Sequence, residues 1–301
     1  MRSRRRLRWA AIPVASLVIL ALAGCTQAQL HGFLPGFQED QTAVTNNADK
    51  VSALWVNSWI VLLAVGIVTW TLIVAAALVY RRRRGQTGLP VQLRYNMPIE
   101  VFYTVVPLIL VLGFFAFTAR DQAEIETRNP NPDVTIEAYG KQWAWDFNYL
   151  DEDVYSTGIQ GQPDEPTAAG QGVVQSELPQ LVLPVDKTVE IQLKARDVIH
   201  SFWVVDFLYK KDMIPGRTNY MTFTPTREGT YSGKCAELCG DYHSLMLFTV
   251  KVVSEQEYED YIQTLKDQGF NGRLGDDYNR NLNEPGNGTS ESAASDSSTT
   301  E

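Results

Sequence analysis

Three apolar stretches occupy the first 120 residues, and beyond them the pattern shortens into runs of only a few residues. The first, residues 9–24, follows five Arg between positions 2 and 8 and is too short for a comfortable bilayer crossing. It predicts an export signal over residues 1–24. The next two, residues 52–80 and 98–119, each exceed the ~20 apolar residues a helix needs to cross a hydrocarbon core. They predict a transmembrane helical hairpin over 52–119, with residues 25–51 as an external N-terminal segment. Four Arg at 81–84 and Arg94 lie between the two spans. Positive charge stays on the cytoplasmic side, so the connection faces inward and both outer ends face the export side. Trp55 and Trp59, near the outer end of the first span, suit an interfacial belt.

Between residues 134 and 253 the runs VTIEAY, QLVLPV, VEIQLKA, MTFTPT and LMLFTVKVV are broken by Gly, Pro and Asp, and several alternate with period two. Many short strands at close spacing predict an all-β antiparallel sandwich or barrel in an external domain over 120–268. Such a frame carries ligands on loops at one end. Residues 151–179, containing DED, GQPDEP and TAAGQG, read as a long surface insertion, a place for a partner to dock. Ser254 with Glu257 forms a capping box, and a helix is expected to run to Gln268, before Gly269. Residues 269–301 are expected to be a disordered tail, with low complexity from Gly286 onward.

Charge adds direction to this plan. From residue 121 to 301, 14 Lys or Arg against 31 Asp or Glu leave −17. A field of that sign steers a basic partner or simply keeps the surface solvated. No nucleic-acid partner is expected.

Only three Cys and three His occur in 301 residues, and two of each fall near one another. Residues 235–246 read CAELCGDYHSLM, so Cys235, Cys239 and His243 are spaced four apart, Met246 follows three later, and His200 lies upstream. Thiolate, thioether and imidazole together favour copper over cations that prefer oxygen. A mononuclear blue-copper site needs one Cys, two His and a weak axial Met; His200, Cys239, His243 and Met246 satisfy it and leave Cys235 surplus. If both thiolates bridge two metals, each copper gains one imidazole, and Met246 and a backbone carbonyl become the weak outer ligands. The competing readings are a Cys235–Cys239 disulfide and a structural zinc site. Neither uses Met246. Cys25 ends the sequence LAGC, similar to the lipobox of bacterial lipoproteins, which implies a lipid anchor there; ordinary signal cleavage beside a chance Cys is the alternative.

From about residue 50 to 265 the chain resembles cytochrome c oxidase subunit II of the haem-copper oxidases. The resemblance rests on the motif Cys235, Glu237, Cys239, Gly240, His243, Met246. It rests also on His200-Ser201 followed by Asp212, Ile214, Pro215, Gly216 and Arg217, and on the aromatic segment YGKQWAWDFNY at 139–149. It implies a helical hairpin followed by a cupredoxin-like β domain on the extracytoplasmic side of a bacterial cell membrane. It implies a binuclear copper A centre with Cys235 and Cys239 bridging, His200 and His243 terminal and Met246 weak. Glu237 is implied to give its carbonyl to copper and its carboxylate to a magnesium shared with subunit I. Trp143 is implied to receive electrons from cytochrome c, soluble or membrane-bound, and Glu100 to stand at the mouth of a proton channel of subunit I. Lys141 replaces the usual His and Ala144 the usual Tyr, so donor docking differs in detail. The function implied is electron transfer to subunit I, which reduces oxygen to water and translocates protons alongside other oxidase subunits. The bilayer completes the expected surroundings. A copper storage or delivery protein is the competing class, and it leaves the hairpin and the Trp143 segment without a use.

Overall fold

The computed structural model describes residues 43–82, 85–89, 92–167, 170–173 and 178–279. The export signal, Cys25 and residues 280–301 lie outside these. Two long helices come first, α1 (Ala48–Val79) and α2 (Met97–Glu126). At 32 and 30 residues they span about 45–50 Å at ~1.5 Å per residue, enough for a hydrocarbon core and its interfaces. Of their residues only Ala48 is buried, and large apolar side chains such as Leu62 and Phe115 stand open on all sides. Helices apolar all round are suited to lipid. Lys50 at the start of α1 pairs with Glu124 near the end of α2 at 2.6 Å, so the outer ends lie together.

The α2 helix runs past the apolar stretch that ends at 119. Its last turns carry polar residues, and the extension is held by the β domain. Glu126 accepts hydrogen bonds from Tyr209 at 2.6 Å and from Lys211. Arg128 makes a two-pronged bond to Glu190 at 2.7 and 2.9 Å and lies 3.5 Å from the Tyr220 ring centre. Before α1, Val44 is buried in the domain core, and Asn46 N–H donates to the Thr224 carbonyl at 3.1 Å. The domain therefore grips the hairpin at both outer ends.

The strands are β1 (Val134–Lys141), β2 (Ala144–Tyr149), β3 (Val154–Thr157), β4 (Pro163–Thr167), β5 (Gly170–Val173), β6 (Gln180–Pro184), β7 (Val189–Ala195), β8 (His200–Val204), β9 (Tyr209–Met213), β10 (Asn219–Phe223), β11 (Gly229–Cys235) and β12 (Leu247–Val253). Two five-stranded sheets form, ordered β10-β7-β1-β2-β3 and β6-β12-β11-β8-β9, with β4-β5 a separate hairpin. Aromatic rings bridge the sheets: Trp145 meets Phe202 and Phe248 at 5.8 and 4.8 Å, and Phe147 meets Phe248 at 5.6 Å. Helix α3 (Glu255–Asp267) closes one edge with Tyr258, Ile262 and Leu265 buried, and Ser254 and Glu257 make the expected capping box.

Three features depart from the pattern reading. The sandwich is not wholly antiparallel, because β1 pairs with β7 and β6 with β12 in parallel. Strand β6 lies in one sheet and β7 in the other, and that crossing sets two parallel neighbours. The stretch 151–179 is no continuous loop: β3 is a full member of a sheet, with Asp146 to Tyr149 as its partners. The tail does not begin at 269, since residues 270–279 lie against the domain. Gly272 N–H donates to the Asp153 carbonyl at 2.7 Å, and Arg273 grips Glu137 at 2.5 and 2.7 Å.

Candidate metal centre

Strand pairing brings the sulfur and imidazole groups together. Cys235 ends β11, and its register partner is Phe202, so His200 at the start of β8 stands close by. At the base of the loop Lys234 pairs with Leu247, and Cys235 N–H donates to the Met246 carbonyl at 3.0 Å. The loop 236–245 is thus pinched between two adjacent strands and curls back over their ends. Gly240 has φ +119°, a conformation that a side chain disfavours, and His243 N–H donates to its carbonyl at 3.2 Å.

The donor atoms face one another. The two sulfurs are 3.8 Å apart, and both thiols are free. His200 Nδ1 is 3.8 Å from Cys235 Sγ, His243 Nδ1 is 3.5 Å from Cys239 Sγ, and Met246 Sδ is 3.7 Å from Cys239 Sγ. Cys235 Sγ donates to the Glu237 carbonyl at 3.2 Å, so that oxygen points at the sulfurs while the Glu237 side chain is exposed. His200, both Cys and Met246 are buried. The sequence-predicted ligands therefore converge on one small volume, a soft donor set that fits copper.

The protonation pattern explains what a cation would add. Burial pushes both thiols up, but His200 and the backbone at Ser201 and Glu237 bring Cys235 down to about 7. Burial and that neighbouring sulfur hold Cys239 up at about 12. The two sulfurs together therefore resist carrying two negative charges, and a bound cation would favour the doubly deprotonated pair.

Residues around the donors fix their orientation, and here the sequence reading was incomplete. Asp197 Oδ1 lies 2.8 Å from His200 Nε2, which leaves Nδ1 to face the sulfurs, and Asp197 Oδ2 accepts from Gln142 N–H at 2.8 Å. A carboxylate on the far nitrogen of a ligating imidazole sets its tautomer and ring direction. Gln142 Nε2 and Trp143 Nε1 both donate to the Cys239 carbonyl, at 2.8 and 3.2 Å. Trp143 is half-buried, and its ring meets the Tyr242 ring edge-on at 5.0 Å. The spacing Asp197-Val-Ile-His200 and the Gln142-Trp143 pair were the signals available in sequence.

Glu100 lies far from this cluster, in the first turn of α2. Its carboxylate accepts from Asn96 N–H at 2.9 Å while the Asn96 side chain accepts from Ile99 N–H at 3.4 Å, a reciprocal helix cap.

Known proteins are similar to this chain over most of its length. Residues 134–253 match the family described as cytochrome C oxidase subunit II, periplasmic domain. The chain is 43% identical to the probable cytochrome c oxidase subunit 2 of Streptomyces coelicolor over 86% of each chain. It is 30% identical to cytochrome c oxidase subunit 2 of Corynebacterium glutamicum over 81% of this chain and 80% of that one. The periplasmic domain of subunit II of cytochrome oxidase from Bradyrhizobium japonicum is 35% identical, with a TM-score of 0.40, over 46% of this chain and 97% of that one. With a family match over the β domain and relatives at least 30% identical over four fifths or more of its length, the chain belongs to the family of cytochrome c oxidase subunit II.

Proposed function

We propose that this chain is the electron-accepting subunit of its oxidase, taking electrons one at a time from a cytochrome c through Trp143 and handing them to subunit I. The observation that carries this reading is the bond from Trp143 Nε1 to the Cys239 carbonyl at 3.2 Å, which joins a half-exposed indole to a ligand sulfur through a few covalent bonds. His200, Cys235, Cys239, His243, Met246 and the Glu237 carbonyl would hold a binuclear copper A centre. Bound there, copper would supply a carrier that accepts and passes on single electrons. The rigid strand ends and the Asp197–His200 bond keep the donors in place during turnover. In the assembled oxidase, Trp143→Phe is expected to slow reduction by cytochrome c about tenfold while copper content stays unchanged. Equal pre-steady-state rates for the two proteins would end the reading.

Two acidic residues extend the proposal to the partner subunit. Glu237 exposes its carboxylate beside the metal loop, available to a magnesium at the contact with subunit I, and Glu100 caps α2 at the cytoplasmic end, beside the mouth of a proton path in that subunit. Glu237→Gln should lower bound magnesium, or manganese substituted for it, and Glu100→Ala should slow proton uptake. Unchanged metal occupancy or unchanged uptake would remove the respective role. A lipid on Cys25 would anchor the mature N-terminus to the same membrane, and a diacylglyceryl adduct in the N-terminal mass is its test.

A further inference from the structure

Beneath residues 270–279 lies a sheet face that is polar and yet buried. On β1 and β2, Ile136, Ala138, Trp145 and Phe147 belong to the apolar core, whereas Glu137, Asp146 and Asn148 alternate with them and are also buried. Charges buried on a sheet need partners, and the segment 270–279 supplies several. Arg273 pairs with Glu137, which Lys194 also reaches at 2.8 Å. The Asn148 amide exchanges two hydrogen bonds of 3.0 Å with the backbone of Leu274. Asp276 accepts from the Tyr139 hydroxyl at 2.6 Å.

One residue links this segment to the tryptophan turn. The Arg196 guanidinium is 3.8 Å from the Tyr139 ring centre and donates to the carbonyls of Leu274 at 3.0 Å and Gly275 at 2.7 Å. Its Nε donates to Asp146 at 2.8 Å, and Asp146 also accepts from Lys141 at 2.6 Å. Lys141 and Ala144 pair as the last residues of β1 and the first of β2, so this network grips the base of the turn that carries Gln142 and Trp143. Arg196 N–H also donates to the Gly140 carbonyl at 2.9 Å, and the next residue, Asp197, holds Gln142 N–H. A cleft of about 620 Å³ opens beside Trp143, with Arg196, Leu274 and Tyr278 in its wall.

We propose that residues 270–279 are a strap that positions the Trp143 turn over the Cys239 carbonyl, with Arg196 as the positioning residue that transmits its hold. This rests on the reading of Trp143 as the electron-receiving group. The strap touches no donor atom of the metal cluster, so its loss should alter electron acceptance and spare the centre itself. A lysine at 196 keeps the charge beside Asp146 but cannot bond Asp146 and both strap carbonyls together.

The test uses the assembled oxidase with Arg196→Lys, with Arg273→Ala combined with Asp276→Ala, and with Trp143→Phe. The double variant removes two side-chain anchors of the strap, Arg273 on Glu137 and Asp276 on Tyr139, while Glu137 keeps Lys194 and Asn148, so the fold has what it needs to survive. Copper per chain, the paramagnetic resonance spectrum, the rate of reduction by cytochrome c, and the onward rate after photochemical reduction of the centre are measured. Both strap variants should slow reduction by cytochrome c about tenfold, in the range typical of lost outer-shell partners, with the other three unchanged. Combining either with Trp143→Phe should add no further loss, because residues acting in one unit are not additive. Arg273→Lys with Asp276 intact should keep most of the rate, since a lysine can still pair with Glu137 as Lys194 does. Lost copper or a slowed onward step would reduce the strap to a structural role and overturn the proposal. Unchanged reduction in the strap variants beside a slowed Trp143→Phe would overturn the strap alone. An unaffected Trp143→Phe would take down the underlying reading and the strap proposal together.

Discussion

Cys239→Ser should abolish the proposed binuclear centre: copper is expected to fall from two per chain to at most one, and electron transfer from cytochrome c to drop by more than about 100-fold, beyond what losing an outer-shell partner costs. Cys239 joins one half of the cluster to the other. Its sulfur lies 3.8 Å from Cys235 Sγ, 3.5 Å from His243 Nδ1 and 3.7 Å from Met246 Sδ, so His243 and Met246 reach the rest through it. A serine hydroxyl is hard and stays protonated near neutral pH, whereas copper in such a site selects soft thiolate. Cys235, His200 and the Glu237 carbonyl would remain together and could hold a single ion. Metal analysis with paramagnetic resonance on the purified oxidase checks this. A spectrum still showing one electron shared by two equivalent nuclei would mean that Cys239 is not a bridge.

The cluster of sulfur and imidazole donors was legible in sequence because soft metals restrict side-chain chemistry, and few residue types satisfy them. Cys235, Cys239, His243 and Met246 also share one loop, so their spacing needed no knowledge of the fold. His200 was harder, since its nearness depends on the pairing of β8 with β11. The hairpin was legible for a similar reason: lipid tolerates little besides long apolar runs.

What stayed hidden was held by long-range polar contacts. Residues 270–279 read NGRLGDDYN after Phe270 and show no apolar period, so pattern alone assigns them to a tail. Their order comes from Glu137, Asn148 and Arg196, residues 78 to 136 positions away. The same contacts explain why β2 is buried on both faces although its sequence alternates like a half-exposed strand. Asp197 was overlooked because its spacing of three from His200 is a weak signal that gains meaning only when its Oδ1 is seen 2.8 Å from the His200 ring. Strand β3 was masked by the polar residues on either side of it.

Asp146→Ala should be the most destabilising single change among the charged residues of the domain, by about 3–5 kcal/mol, the usual penalty for stripping one partner from a buried ion pair. The side chains of Asp146 and Arg196 are each only 3% exposed, with their bond at 2.8 Å. Without the carboxylate, Arg196 keeps the strap carbonyls and the Tyr139 ring but no counter-charge, and Lys141 and Thr157 lose their acceptor. The pH dependence follows from the same residue. Burial pushes the Asp146 carboxyl up, yet Lys141, Thr157 and Arg196 outweigh it and hold it below the ordinary aspartate range. The unfolded chain therefore binds this proton more readily than the folded one. Its stabilisation is complete above the unfolded value, near pH ~4, and is lost as pH falls toward the lower folded value. Glu137 behaves alike, because Arg273 and Lys194 overcome its burial. Chemical unfolding of the detergent-solubilised oxidase across pH 3–7, followed at the β domain, should show a lower midpoint for Asp146→Ala at neutral pH. It should also show a shallower loss on the acid side, since one of the depressed carboxylates of the domain is gone. Equal midpoints at neutral pH would mean that Arg196 is adequately satisfied by the strap alone, and the Asp146 link between strap and tryptophan turn would then carry no stabilising energy.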